Sequence, residues 1–407
     1  MRDYRDCAVS GATPHALALF EEALACLWLQ RGDALALARE AAAAAPGFVA
    51  AHQLEASLLL CSRDVREYES AGWAYARLRG LKQNVREALH TAAIAASVDG
   101  DYAQARILYE RIVADAPRDA LALHVASVYD YYLGDPGALR VRTARALRGW
   151  TPDLPGYHAL LAQHAFGLEE CGEYAAAEGA ARRALELEPR DLRAHHAITH
   201  VLEMQGRAEE GIRWMGARTQ HWAGAGVAAS HLWWHLALHH QQLGRTRFAL
   251  EIYDRRIAGG DSLSERIDAA SLLWRLHLDR VDTGRRFHAL AAAWAPHAED
   301  AHCAFNDLHA MMAFAGAGRF ELGHRLLSAQ IRRVARAGGA NRDMTRLVGL
   351  PACRAILLFA RGDYAASEAL LRALPPVAHR MGGSHAQRDV LQLTRAAAAQ
   401  RSYRRAA

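Results

Sequence analysis

The sequence contains very little lysine and few cysteines. Lys82 is its only lysine, so arginines spread along the chain carry almost all of the positive charge. A formal net charge of +5 therefore does not indicate a compact basic surface, and we expect no nucleic-acid partner. The six cysteines are scattered without a Cys-x-x-Cys pair, which is typical of free thiols in a reducing compartment rather than of a disulfide framework.

Long apolar runs are also missing. No stretch of 18 apolar residues occurs, and the N-terminal "MRDYRDCAVSG" lacks the apolar core of a signal peptide. We therefore expect a soluble cytoplasmic protein with no membrane partner. The Gly-x-Ser-x-Gly, phosphate-binding-loop and dinucleotide-binding glycine motifs are absent as well, which excludes the enzyme classes that depend on them. With 52% hydrophobic residues, the chain still has enough apolar side chains for a large core.

Glycine recurs along the chain at a regular interval. The successive spacings from Gly100 through Gly134, Gly172, Gly206 and Gly244 are 34, 38, 34 and 38 residues. The period and the motifs "GDYAQARILYERIVADAPRD" and "GEYAAAEGAARRALELEPRD" are typical of the tetratricopeptide repeat, a pair of helices joined by a tight turn. We therefore predict an all-α, tetratricopeptide-repeat-like right-handed superhelical solenoid of antiparallel helix pairs. It should form a single domain over residues 1–407, with a short frayed tail from about residue 400.

Each recurring residue has a physical role in this prediction. The glycine ends the first helix of a pair in a left-handed turn. The tyrosine and alanine that follow, such as Tyr102 and Ala105, pack the second helix closely on the first, and Pro117 stops that second helix. The segments "DPGALR", "WTPDLPG" and "LPPVAHRMGGSHAQRDV" interrupt the pattern. We interpret them as loops within one continuous array.

The irregular segments are more distinctive than the repeats. "YDYYLGD", "WTPDLP", "YHALLAQHAFGLEE", "HAITHVLEM", "HLWWHLAL", "FALEIYD", "FNDLHAMMA", "VGLP" and "GGSHAQRDV" follow one another in this order. Together they resemble the tetratricopeptide repeat protein 38 family, from about Asp6 to Ala398. The resemblance implies one helical repeat domain and carries no mechanism. The positions that match the family pattern are His196, His200, Glu203, His231, Trp234, His235, Asn306, Asp307, His309, Gln387, Arg388 and Asp389.

Histidine is concentrated in one part of the chain. Residues 195 to 240 contain eight of the 22 histidines and four of the nine tryptophans. His196, His200 and Glu203 share one face of a helix, whereas His195 points about 100° away. About one repeat later, His231, His235 and His239 share a face in the same way. Both segments are the first helix of a pair, which lines the concave groove in such arrays, so we expect the two faces to look into one hollow.

Three interpretations of these histidines stay open at this point. The first is a site for a divalent metal, Zn, Fe or Mn. Its ligands would be His196, His200, Glu203, His231 and His235. The second is a metal-free polar groove whose imidazoles bind an acidic ligand or move protons. The third is hydrogen bonding between packed helices, with no ligand.

Two further clusters accompany the histidines. In "FNDLHAM", Asn306 and His309 share a helix face, and we predict that Asp307 or His309 is a catalytic base or a further ligand. An N-cap or an interhelix hydrogen bond explains this cluster equally well. In "GGSHAQRDV", a Gly-Gly turn precedes a helix capped by Ser384. Arg388 in its first turns has the fork-shaped cation that binds a carboxylate or phosphate. A structural ion pair of Arg388 with Asp389 or with a neighbouring helix is the alternative.

The leading hypothesis is a histidine-rich pocket for a small molecule or peptide. In it Trp234, Asn306, Gln387 and Arg388 contact the ligand, although burial in the core is the better interpretation of Trp234 taken alone. A bound metal would make the pocket a centre for hydrolysis, elimination or oxidation. The rival hypothesis is a non-catalytic adaptor that binds partner proteins in the groove, the usual role of such arrays.

Overall fold

The computed structural model describes residues 1–336 and 338–406, and the chain there is almost entirely helical. In this part of the chain no strand forms, apart from one isolated antiparallel bridge between Arg2 and Ala8. In chain order the α-helices are α1 (Pro14–Leu29), α2 (Ala34–Ala44), α3 (Val49–Leu60), α4 (Val65–Leu78), α5 (Val85–Val98), α6 (Tyr102–Asp115), α7 (Ala120–Leu133), α8 (Pro136–Leu147), α9 (Tyr157–Glu170), α10 (Tyr174–Leu187), α11 (Leu192–Met204), α12 (Ala208–Gly216), α13 (Thr219–Trp222), α14 (Val227–Gln242), α15 (Thr246–Ile252), α16 (Leu263–Leu278), α17 (Arg286–Trp294), α18 (Ala304–Gly316), α19 (Phe320–Arg336), α20 (Gly339–Met344), α21 (Leu350–Ala360), α22 (Tyr364–Arg372) and α23 (His385–Ala406). The predicted all-α, tetratricopeptide-repeat-like solenoid of helix pairs is confirmed.

Short segments of other helix types interrupt the pattern. They are the π-helices Tyr253–Ile257 and Thr345–Gly349 and the 3₁₀ helices Ala295–His297 and Ala378–Met381. None of the described helices is both long enough and apolar enough to cross a membrane.

The helices form two compact units. The first comprises Met1–Val201 with Gln220–Ala228, and the second comprises Leu202–Thr219 with the described residues from Ala229 onward. In the first unit, α1 to α10 form successive pairs, each packed on its own partner and, through short connections, on the next pair. In the second unit, α16, α18 and α21 pack in sequence, and α16 also packs on α23. That the chain is a single domain stays a prediction.

The glycine turns adopt the predicted conformation. Gly172, between α9 and α10, has φ of 79°, and its N–H donates to the carbonyl of Glu169 at 2.8 Å. Only glycine adopts this left-handed backbone without the clash that a β-carbon causes. Tyr102 and Ala105, at the start of α6, are buried as predicted. These small and flat side chains let each second helix lie close to the first.

The interpretation of "DPGALR" as a loop is wrong, because this segment begins helix α8. The Asp135 side chain accepts a hydrogen bond from the Ala138 N–H at 3.0 Å, and Pro136 occupies the first turn. Proline is favoured there because the first helical N–H has no intrahelical partner to lose. The segment "WTPDLPG" does connect α8 and α9 without helix. Ser384 caps α23, as predicted from "GGSHAQRDV".

Candidate functional site

In the second unit, two histidines one turn apart on α14 each contact a carboxylate. The Nδ1 atom of His235 lies 2.7 Å from Oε2 of Glu203, and both side chains are buried. The Nδ1 atom of His231 lies 2.7 Å from Oδ1 of Asp268 on α16. The His231 side chain keeps 26% of its surface exposed. The two imidazole centroids are 4.8 Å apart.

These carboxylates determine which nitrogen of each imidazole carries the lone pair. A carboxylate accepts a hydrogen bond, so Nδ1 must donate and the lone pair of the neutral ring is on Nε2. This tautomer is typical of a metal-binding histidine, whose second nitrogen usually donates to a carboxylate or a carbonyl. Glu203 thus contacts the nitrogen of His235 that does not carry the lone pair, and its assignment as a metal ligand stays a prediction.

Trp234 belongs to the packing around these histidines. It is fully buried, stacks on the His231 ring with centroids 5.1 Å apart, and lies under the guanidinium of Arg275. Arg275 in turn donates to the Ala386 carbonyl at 2.6 Å and pairs with Asp389 of α23. Trp234 is thus part of the packing beside His231. Its predicted contact with a ligand stays a prediction.

In the first unit, His196 and His200 lie on one face of α11, with ring centroids 4.3 Å apart. Phe166 of α9 packs against both rings. His200 is fully buried, and its Nδ1 lies 3.3 Å from Oε2 of Glu169. Glu170 is buried beside them. A ligand atom from each of Glu169, Glu170 and His200 lies within 4.8 Å of the other two.

Two other histidines of this region have packing roles. The Nε2 atom of His195 lies 2.9 Å from the carbonyl of Pro189, and its ring stacks on His221, which agrees with its predicted separation from the His196 face. His239 is fully buried against α12, where a β-carbon on Gly211 would overlap its ring. His239 therefore serves the contact between α12 and α14.

The Asn306, Asp307 and His309 cluster is buried on α18 in the second unit. Asp307 accepts a hydrogen bond from Nε2 of Gln330 at 2.9 Å. Burial raises the pKa of Asp307 to about 7. The Nδ1 atom of His309 donates to the Phe305 carbonyl at 2.7 Å. Asp307 thus has the proton affinity of a base near neutral pH, while its catalytic role and that of His309 stay predictions.

The side chains of "GGSHAQRDV" are engaged at the start of α23. The Oε1 atom of Gln387 accepts from the Ser384 N–H at 3.0 Å, and the Ser384 hydroxyl accepts from the Gln387 N–H at 3.3 Å. This reciprocal pair is a capping box. Arg388 donates to the Gly383 carbonyl, whereas Asp389 pairs with Arg275. A ligand contact by Gln387 or Arg388 stays a prediction.

Sequence reasoning missed two carboxylates that contact the histidines, Asp268 beside His231 and Glu169 beside His200. A weak signal exists, because Glu203 precedes His235 by 32 residues and Asp268 follows His231 by 37 residues. Each separation is close to one repeat. A carboxylate about one repeat from a histidine is thus a candidate partner on the adjacent helix.

No family model matches the chain. The solved structures that match the chain include two at low structural similarity. A chain of the crystal structure of the APC/C hetero-tetramer Cut9–Hcn1 has 11% identity and a TM-score of 0.38, with 84% of this chain and 62% of that chain covered. A chain of the Naa15/Naa10 structure bound to HypK-THB has 13% identity and a TM-score of 0.29, with coverage of 90% and 65%. This chain therefore spans less than two thirds of the length of either. The resemblance to the tetratricopeptide repeat protein 38 family stays a prediction.

Proposed function

We propose that this chain is a cytoplasmic protein that binds a divalent metal, Zn, Fe or Mn, through Nε2 of His231 and His235, and uses it to hold a small-molecule or peptide ligand. The observation that carries the proposal is the pair of carboxylates, Glu203 and Asp268, that hold Nδ1 of the two imidazoles. Histidines at i and i+4 chelate one ion, and imidazole nitrogen suits these three metals.

Other histidine–carboxylate contacts in the chain show why this pair differs. His90 and His158 contact Asp119 and Asp191 at 2.8 and 2.6 Å. Those two aspartates also accept backbone N–H groups at helix starts, so they have a structural role whether or not a histidine is present. Glu203 and Asp268 lie inside helices α11 and α16 instead. They orient two imidazoles of one helix face, which favours a metal-binding site over a purely structural contact.

A bound metal would act as a Lewis acid toward an anionic group of the ligand. The protein residues orient the imidazoles. Glu203 and Asp268 each hold one ring nitrogen, and Trp234 stacks on the face of the His231 ring. The partial exposure of His231 leaves it accessible to a ligand. The sequence-based assignment of His196 and His200 of α11 as metal ligands stays a prediction.

The test is metal analysis of the purified chain after incubation with Zn²⁺ and removal of excess metal. Wild type should retain stoichiometric metal, and H231A/H235A should retain one equivalent less. The exposed histidines His288 and His324 provide the matched control H288A/H324A, which should retain metal.

Background metal in wild type, or equal metal in H231A/H235A and the control, would overturn the proposal. The adaptor hypothesis would then be favoured. It predicts a protein partner whose affinity for the chain does not change when a chelator is added. Circular dichroism of each variant separates loss of metal from loss of fold.

A further inference from the structure

Helix α9 ends in two adjacent buried glutamates. Glu169 is completely buried and Glu170 is 6% exposed. His200 of α11, also completely buried, brings an imidazole nitrogen to the same place. One ligand atom from each of the three residues lies within 4.8 Å of the others. Two carboxylates and an imidazole thus converge in the interior of the first unit.

The carboxylate of Glu169 lacks a hydrogen-bond partner among the described residues. The Nδ1 atom of His200 lies 3.3 Å from its Oε2 atom. Moving an ionised carboxylate out of water is costly unless it is paired or coordinates a metal. The position at the end of α9 adds to this cost, because the last carbonyls of a helix create a negative potential that favours a cation.

Two aromatic side chains, Tyr174 and Phe166, lie close to the cluster. Burial raises the pKa of Tyr174, and the charges of Glu169 and Glu170 raise it further. The ring edge of Phe166 covers one side of His200. The carboxylates are therefore shielded from water yet close enough to affect neighbouring groups.

We propose that Glu169, Glu170 and His200 form a site for a first-row divalent transition metal. The mixed nitrogen and oxygen donor set favours Mn²⁺, Fe²⁺ or Zn²⁺, because Mg²⁺ and Ca²⁺ prefer oxygen ligands alone. Ligands on opposite sides of an ion at about 2.1 Å are about 4.2 Å apart, so small side-chain rotations bring the three donor atoms to bonding distance. The site uses carboxylates outside the His231/His235 pair and does not rest on the proposed function.

The test is isothermal titration of the full chain with Mn²⁺, Zn²⁺ and Mg²⁺ chloride. E169Q and E170Q keep the side-chain shape and remove one negative charge each. Glu173, three residues beyond the end of α9, is exposed and pairs with Arg140, so E173Q is the matched control. We expect E169Q and E170Q each to weaken Mn²⁺ binding by at least the ~10–100-fold that loss of a carboxylate supporting a ligand costs. E173Q should bind Mn²⁺ as wild type does.

The background H231A/H235A separates this site from the proposed function. Mn²⁺ binding that persists in H231A/H235A and weakens when E169Q or E170Q is added to that background supports the site, whatever happens at the α14 pair. Equal Mn²⁺ affinity in H231A/H235A with and without E169Q or E170Q would overturn it, as would preference for Mg²⁺ over Mn²⁺ and Zn²⁺. Thermal melting without metal checks the fold. E169Q should melt no lower than wild type, because it removes a buried charge.

Discussion

The side chains of Glu203 and His235 meet in the interior of the second unit, where Oε2 of the carboxylate lies 2.7 Å from Nδ1 of the imidazole. The two residues are 32 positions apart in the sequence. His235 is fully buried, and the Glu203 side chain is 5% exposed. A buried contact of this kind holds the imidazole in one tautomer and one orientation. The proposed metal site depends on that orientation.

Replacing Glu203 should weaken metal binding without removing a ligand. In E203Q the amide no longer offers two anionic acceptor oxygens to Nδ1 of His235. The imidazole then becomes less basic at Nε2 and binds the metal more weakly. We expect Zn²⁺ affinity to fall by ~10–100-fold, measured by competition with a chromophoric chelator. E209Q removes an exposed carboxylate on α12 that pairs with Arg245, and it should leave the affinity unchanged. An equal loss of affinity in both variants would show that the overall negative charge of the protein controls metal binding, and not the Glu203–His235 contact.

Asp307 should make stability depend on pH. Burial raises its pKa from 3.8 to about 7, so between these values the folded protein binds more protons than the unfolded chain. The free energy of unfolding therefore falls as pH rises through this range, on the order of 3 kcal/mol from this group between pH 4.5 and 7.5. D307N should remove that contribution. Urea unfolding at the two pH values measures it.

The exposed Asp343 is the control for that measurement. D343N should retain the pH dependence of wild type. The same pH dependence in wild type and D307N would mean that Asp307 is ionised in the folded protein.

Two glycines of one repeat should respond oppositely to alanine. Gly172 has φ of 79°, and Gly179 lies inside α10; a β-carbon on either would meet no atom within 4 Å. Steric clashes with neighbouring atoms are therefore absent at both positions. The difference in stability should come from backbone conformation, because only Gly172 has a positive φ. G172A should destabilise by ~1–2 kcal/mol, whereas G179A should stabilise by ~0.5–1 kcal/mol. Chemical denaturation measures both, and a shift of the same sign in the two variants would contradict the left-handed turn.

The close approach of Gly211 to His239 predicts a coupled pair of substitutions. A β-carbon at position 211 would overlap the His239 ring, so G211A should destabilise by ~1–3 kcal/mol through overpacking. In an H239A background the same change should cost much less, because the ring is gone. A double-mutant cycle on unfolding free energies tests this. Additive effects would show that the two residues do not share the contact.

Much of the fold follows from local sequence. The recurring glycine, the tyrosine and alanine after it, and the helix-ending proline act over a few residues, and the structure places Gly172, Tyr102 and Ala105 as predicted. The error at "DPGALR" also has a local cause. Aspartate followed by proline is a helix-start signal, and the interpretation gave more weight to the break in the repeat than to the cap.

The candidate site is a different matter. The sequence by itself determined that His231 and His235 share a face of α14, and that His196 and His200 share a face of α11, because helical periodicity places residues at i and i+4 together. Only the tertiary structure decided that Asp268 contacts His231, that Glu203 orients His235, and that Glu169 lies beside His200. Those contacts depend on how neighbouring helices are rotated and on side-chain conformation. Repeat spacing does not determine either of these, so the contacts of the histidines were decided by packing between helices.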